Sequence, residues 1–286
     1  MGIMFQKVSF IYNDYSKTLA LNNLSINIQK ENELVFVCGK TGSGKSTFIN
    51  HLNASLIPTT GQIDILGTSL TQKNYRKTKL NPIRKKVGIV FQFPEYQLFE
   101  QTVLKDVMFG PINFGQTKEQ ALKSAQDALK LVGISDDLLN KSPFTLSGGQ
   151  MRLVSIASIL ACNPDILVLD EPTSSLDSFH KKHILEVISN IAKTTTKTII
   201  IITHDMDILY EYSKRVLVFN DANIAYDGDA KSLFNDKNLY TSLGLELPCF
   251  LDFNNQLNEF LKTTIKADYQ PNIYFSNIKK AVTNNE

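Results

Sequence analysis

Gly39-Lys40-Thr41-Gly42-Ser43-Gly44-Lys45-Ser46 satisfies the pattern GxxxxGK[ST] in full. It stands where that pattern acquires meaning. Residues 33–37 (ELVFV) read as a buried strand, and residues 46–52 read as the start of a helix. Glycines let a backbone wrap closely round phosphate oxygens, and the loop N–H groups with the helix N-terminus supply positive potential without side chains. Lys45 can reach the β- and γ-phosphates, the Ser46 hydroxyl can ligate Mg²⁺, and Thr47 completes the cradle. The expected fold is therefore α/β, a P-loop core binding the phosphates of a nucleotide with Mg²⁺.

The second half of such a site lies downstream. Residues 165–171 (DILVLDE) form an apolar strand ending in two carboxylates, at the edge where open α/β sheets bind ligands. Asp170 is placed in the Mg²⁺ shell, and Glu171 can act as general base on the attacking water. A third element is Leu146-Ser147-Gly148-Gly149-Gln150. Ser147 is a good N-cap, and a helix-compatible run follows to Cys162 before Asn163-Pro164. Such an N-terminus is a second anion site. Two anion sites about a hundred residues apart in one chain suggest that two chains share each nucleotide.

The 286 residues are 43% hydrophobic and 20% charged, which excludes a wholly disordered chain. The aliphatic runs at 166–169 and 199–202 are far shorter than a membrane span, and MGIMFQKVSF lacks the pattern of a signal peptide. Formal net charge is +2, too balanced for nucleic acid to be held by bulk attraction. Cys38, Cys162 and Cys249 form no CxxC pair and fit a reducing compartment. The expectation is a protein that stays in the cytoplasm, with any membrane role coming through a partner.

Strand-like alternation marks Val8, Phe10 and Tyr12, then Leu24, Ile26 and Ile28, with further strands at 62–66 and 86–91. From about 94 to 164 the pattern is helical: Ala121, Leu122, Ala125, Leu129 and Val132 recur at steps of three and four, with Gly133 as the stop. Residues 165–169, 178–192 and 198–203 read as strand, helix and strand, and 214–220 with 223–226 as a hairpin across Asp221-Ala222. The domain expectation is a nucleotide-binding unit over 1–228 with a helical insertion at about 94–164. A C-terminal extension over 229–286, with one or two helices, could stabilise a dimer.

LSGGQ at 146–150, together with the P-loop, the acidic strand end and Thr203-His204-Asp205, resembles the nucleotide-binding domain of ABC transporters over about residues 3–230. The resemblance implies the ABC type of fold, with an antiparallel β subdomain beside the P-loop core. By it, Gln92 matches the Q-loop glutamine that senses Mg²⁺ and the membrane partner. Residues 174–177 match the D-loop, His204 the switch histidine facing the γ-phosphate, and Tyr12 the aromatic that stacks on adenine. Residues 87–99 (VGIVFQFPEYQLF), 51–53 and 102–115 resemble the energy-coupling factor (ECF) branch of vitamin and metal-ion importers, in particular the second of its two ATPase subunits. That implies a heterodimer with the paralogous ATPase, a transmembrane T subunit and a substrate-binding S subunit. Glu95 and Glu100 are then expected to meet arginines of the T subunit. Ser174-Ser175 departs from the usual D-loop pair, Met151 replaces a basic residue after the signature, and Cys38 precedes the P-loop.

His180 and His183 are three apart on a predicted helix, and read as a solvated face rather than a metal site. Arg84-Lys85-Lys86 reads as a solvated strand entrance. The competing function is a soluble ABC ATPase acting on DNA or the ribosome. DNA-acting families insert long coiled coils between P-loop and signature, and no heptad run appears here. Ribosomal ones carry two cassettes, and this chain has one P-loop.

Overall fold

The computed structural model describes residues 2–12, 18–29 and 32–283. The N-terminal part runs β1 (Ile3–Ile11), β2 (Leu19–Ile28), β3 (Leu34–Gly39), α1 (Lys45–Leu52), β4 (Thr60–Ile65), β5 (Thr68–Leu70), α2 (Asn81–Lys86) and β6 (Val87–Val90). Three helices follow, α3 (Val103–Asn113), α4 (Lys118–Leu131) and α5 (Gly148–Leu160). Then come β7 (Ile166–Asp170), α6 (Ser178–Thr194), β8 (Thr198–Ile202), α7 (Met206–Tyr212), β9 (Arg215–Asn220) and β10 (Asn223–Gly228). The chain closes with α8 (Ala230–Asn235), α9 (Lys237–Ser242), α10 (Cys249–Leu261) and α11 (Pro271–Thr283).

Two sheets form. One is antiparallel, in the order β2-β1-β4-β5; the other is β10-β9-β3-β8-β7-β6, parallel except for β10. Side-chain alternation in the second sheet builds two cores. Val35, Val37, Ile166, Val168, Ile200 and Ile202 point to the antiparallel sheet and α1. Phe36, Cys38, Leu167, Leu169, Ile199 and Ile201 point to the helices. Both faces of the parallel sheet are covered, as its β-branched strands require.

The alternation in β1 and β2 slips once in each strand. Ile3 and Phe5 are buried, then Val8 and Phe10; Leu21 is buried, then Leu24. Lys7 and Asn23 sit at the slips with φ of 49° each. Serines on the facing strands receive their N–H groups, Ser25 Oγ from Lys7 at 3.0 Å and Ser9 Oγ from Asn23 at 2.9 Å. These are β-bulges, which re-aim the side chains without leaving a donor unpaired.

The hairpin β9–β10 turns through Asp221 and Ala222, both left-handed at φ 46° and 62°, as a type I′ turn demands. Its tip is held in place. Ala222 N–H donates to Ser43 O, and Ala222 O accepts from Asn22 N–H. The turn thus braces the P-loop.

Four features differ from the sequence expectation. Arg84, Lys85 and Lys86 form the last turn of α2, where cations suit the negative end of the helix dipole. In α4 the buried stripe is Ala121, Ala125, Ala128 and Leu129, while Leu122 faces outward. The segment after 228 holds four helices rather than one or two, because short Asp-capped turns (Asp229, Asp236) start α8 and α9 without a long periodic run. Packing does not stop at 228: Leu233, Phe234, Tyr240, Leu243 and Leu245 join the helix-side core.

Candidate functional site

The C-terminal ends of β3, β7 and β8 lie side by side in the sheet, so three loops meet at one edge. After β3 comes the P-loop. Gly39 (φ 134°) has no room for a side chain, since a Cβ there would lie 2.1 Å from Phe219 O. Gly44 caps α1 at φ 108°, with no side chain bonded to the helix N–H groups. Lys45 Nζ donates to the loop's own carbonyls, Gly39 O at 2.6 Å and Lys40 O at 2.8 Å. Ser43 Oγ is buried without a partner, and Ser46 is exposed. Tyr12, Gly42, Gly44, Lys45, Ser46 and Thr47 line a hollow of about 210 Å³. Tyr12 is mostly exposed, its ring edge-on to Phe10 and its hydroxyl 3.0 Å from Thr47 Oγ1.

β7 delivers Asp170 and Glu171. Burial pushes the Asp170 carboxyl up, against the pull of Lys45. Burial, then the charge of Asp170, push Glu171 up to about 7, and Lys45 opposes them. Glu171 has a φ of 50° and its N–H donates to Ile202 O at 3.0 Å. Its Oε1 is buried with no hydrogen-bond partner, 3.6 Å from His204 Nε2 at the end of β8. Burial, then Lys45, lower the His204 imidazole, so it is neutral near pH 7. A left-handed non-glycine residue and an orphaned buried carboxylate oxygen are costly, and such features cluster at working sites.

Among the described residues no cluster of three His, Cys, Asp or Glu could hold a metal. Mg²⁺ takes one or two protein oxygens and completes its shell with phosphates and water. The exposed Ser46 hydroxyl and the half-buried Asp170 beside Lys45 are donors of that kind.

Gln92 follows β6, exposed, and Phe93 after it is left-handed at φ 56°. Glu95 is not available to a partner as the sequence suggests. The Arg152 guanidinium, 1% exposed, grips it: Nη2 donates to Oε1 at 2.9 Å, and Nε to Oε2 at 3.3 Å. Arg152 Nη1 also donates to Pro172 O at 3.1 Å and Ser174 O at 2.8 Å. One side chain thus joins α5, the loop after β6 and the loop after β7. Sequence reasoning passed over Arg152. The signal was there: a lone cation inside the apolar run of α5 must find a buried partner.

Ser147 caps α5 through a full capping box. Its Oγ accepts from Gln150 N–H, and Gln150 Oε1 accepts from Ser147 N–H. Gly148 faces open space, whereas a Cβ on Gly149 would lie 2.5 Å from His180 Cδ2. His180 is only half solvated, because Asp177 Oδ2 holds its Nδ1 at 2.6 Å. Ser147, Gly149, Gln150, Phe179 and His180 line a second hollow of about 220 Å³, which shares no residue with the P-loop hollow. A larger cavity, about 790 Å³, lies away from both, beside α8 and α10.

A family model described as ABC transporter matches residues 21–174. The chain is 47% identical over 238 residues to the energy-coupling factor transporter ATP-binding protein EcfA2 of Bacillus licheniformis, covering 83% of this chain and 82% of that one. It is 43% identical over 259 residues to the EcfA2 protein of Ligilactobacillus salivarius, covering 90% and 89%. Among solved structures, cbiO1 from Clostridium perfringens, part of the ABC transporter complex cbiONQ, superimposes with a TM-score of 0.74 at 31% identity, covering 91% of this chain and 98% of that one. A dimeric ATP-binding cassette in a post-hydrolysis state, bound to ADP and Pi, gives 0.69 at 29%, covering 80% and 98%.

Proposed function

The chain belongs to the ABC transporter family, as an ATP-binding subunit of an ECF-type importer that hydrolyses ATP to drive transport, and from that premise we propose that two such cassettes close head to tail, each completing the other's site. The observation that carries this is the separation of the two hollows. ATP held by Lys45, Ser46 and Thr47, with adenine on Tyr12, meets the Ser147–Gln150 turn of the opposite subunit rather than its own. Neither half alone surrounds a γ-phosphate.

In this reading Gly39 to Ser46 wrap the phosphates, and Lys45 leaves Gly39 O and Lys40 O to bind β- and γ-oxygens. Ser46, Gln92 and Asp170 would hold Mg²⁺, which when bound neutralises phosphate charge. Glu171 takes a proton from water as the water oxygen attacks the γ-phosphorus. The bond from that phosphorus to the β,γ-bridging oxygen breaks, and ADP and phosphate result. The neutral His204 imidazole stands 3.6 Å from Glu171 and orients the γ-phosphate and the water.

We place the partner subunits of the ECF assembly, a paralogous ATPase, a T subunit and an S subunit, around this chain at the cytoplasmic face. Among the described residues no helix is long and apolar enough to cross a membrane. The surface we assign to the T subunit keeps Glu100 of the two expected acids and adds aromatic rings: Tyr96, Phe99 and Phe109 are exposed beside the Gln92 loop, Phe99 edge-on to Phe109. The nucleotide-binding unit over 1–228 and the extension over 229–286 remain our functional division.

The test is concentration dependence. Total hydrolysis should rise more than linearly on concentrating the subunit or adding its paralogue, until dimer, measured by light scattering, saturates. A flat rate per chain over a wide dilution of demonstrated monomer would overturn the shared site.

A further inference from the structure

The segment after residue 228 touches the nucleotide site at two places. The turn after α9 lies on the P-loop: a Cβ on Gly244 (φ 67°) would fall 1.8 Å from Lys40 Cε. The second contact is at α7, the helix that begins two residues after His204. Asp207 sits on its first turn, and its carboxylate is spent entirely on the extension. Oδ2 accepts Cys249 N–H at 2.9 Å; Oδ1 accepts Phe250 N–H at 3.0 Å and the Tyr269 hydroxyl at 2.7 Å. The residue preceding α10 is Pro248, which supplies no side-chain cap. Asp207 therefore caps α10 from a different element, placing a negative charge at the positive end of the helix. Burial pushes the Asp207 carboxyl up, but the bonds from Tyr269, Phe250 and Cys249 together outweigh it and hold it low.

An aromatic cluster surrounds the contact. The Tyr269 ring lies 4.6 Å from that of Phe250 and 5.7 Å from that of Tyr210, one turn along α7. The other face of α7 carries Ile208 and Leu209 into the core. Asp205 caps the helix and meets Lys181 at 3.3 Å. α7 is a short rod gripped on one side by the core and on the other by the extension, and His204 rides on its leading end.

We propose that Asp207 is a positioning residue for hydrolysis, tying the C-terminal extension to the helix that carries His204, so that the order of the extension sets where His204 stands relative to Glu171 and the γ-phosphate. The proposal rests on the role assigned to His204 above. It gives the extension a part in the reaction through three hydrogen bonds, with no contact to nucleotide. A displacement of a catalytic group by an ångström costs on the order of a hundredfold in rate, so even a small relaxation of α7 is visible in kcat.

The experiment uses the full chain in its assembled transporter. Asp207→Ala, Asp207→Asn and Tyr269→Phe are measured for ATPase kcat and KM, alone and in a His204→Ala background. Amide exchange is followed over residues 203–212 and 249–262. Tyr269→Phe keeps the ring stack and loses one hydrogen bond, so kcat should fall about threefold to tenfold with KM nearly unchanged, and Asp207→Ala should cost about tenfold to a hundredfold. In the His204→Ala background neither change should cost anything further, which a merely structural contact would not give. Wild-type kcat in Tyr269→Phe and Asp207→Asn despite faster exchange over 249–262 overturns the proposal, as does a full additional loss on top of His204→Ala. Wild-type kcat in His204→Ala itself would instead overturn the assignment of His204. If Asp207→Ala fails to fold, the other two variants decide.

Discussion

Two helices of this chain begin on glycines at anion-binding surfaces, and they are finished in opposite ways. At α1 the cap is Gly44, and no side chain satisfies the first N–H groups. At α5 the cap is Ser147, and a reciprocal box with Gln150 satisfies two donors. The first N-terminus is held open by its own sequence. The second is closed until something better arrives, and its hollow lacks any lysine or arginine. The difference sharpens the proposal: α1 is the half that would capture the nucleotide, and α5 the half that would answer when the opposite subunit presents a phosphate.

The comparison breaks first at Lys45. Lys45→Ala should abolish phosphate release by the assembled complex, since it removes the cation inside the open cradle. Retained turnover would remove α1 as the capturing half. Glu171→Gln should bind ATP and hydrolyse it about 10²–10⁴-fold more slowly, leaving the dimer closed in gel filtration.

The pH dependence of the same residue sharpens the point. A base pushed up to about 7 must lose its proton, so hydrolysis should climb as pH rises through about 7, and Glu171→Gln should lack that limb. Stability runs the other way. The folded carboxyl binds its proton more tightly than the unfolded one, whose ordinary value is 4.5, so the contribution is full below 4.5 and lost as pH rises through about 7. Thermal unfolding should find Glu171→Gln more stable than the parent above pH 7 and equal to it near pH 4.5.

Gly148→Ala is a smaller and cleaner probe of α5. Among the described residues, nothing beyond its chain neighbours and its own helical turn lies within 4 Å of the added carbon. An alanine there should fold and bind ATP normally, and any loss of hydrolysis, expected at about tenfold, can come only from the opposite subunit's nucleotide approaching closely. Normal kcat in the complex would argue against α5 meeting a phosphate. The smallest effect belongs to Ser147→Ala, which should lower stability by about 1 kcal/mol in urea unfolding through loss of the cap.

Legibility in the sequence followed the physics of each part. The P-loop, the β7 carboxylates and the α5 cap are local patterns, so strand, glycine and cap could be read where they stand. Strand alternation in β1, β2 and β4 was legible too, while their antiparallel pairing came from the resemblance; the slips at Lys7 and Asn23 were not legible, because a bulge needs only one unusual φ and leaves no mark in residue type. What the sequence hid depends on distant pairing. Arg152 and Glu95 are 57 positions apart, and Asp207 and Tyr269 are 62 apart. Glu95 looked like an exposed acid because nothing nearby claims it. The fold brings Arg152 to it, and a buried arginine leaves such a carboxylate no freedom.

The two carbonyls beside Lys45 bear on how the cycle turns over. With Nζ already donating to Gly39 O and Lys40 O, nucleotide capture is a substitution: two neutral acceptors are given up for charged ones. The net gain is the difference between the two sets, smaller than the new contacts alone would suggest. The same substitution runs in reverse when phosphate leaves, and the vacated lysine falls back on carbonyls that have stayed within reach. An ammonium that keeps two backbone acceptors at its side can release a product without being left unpaired, and a motor that must fire repeatedly depends on letting go as much as on holding.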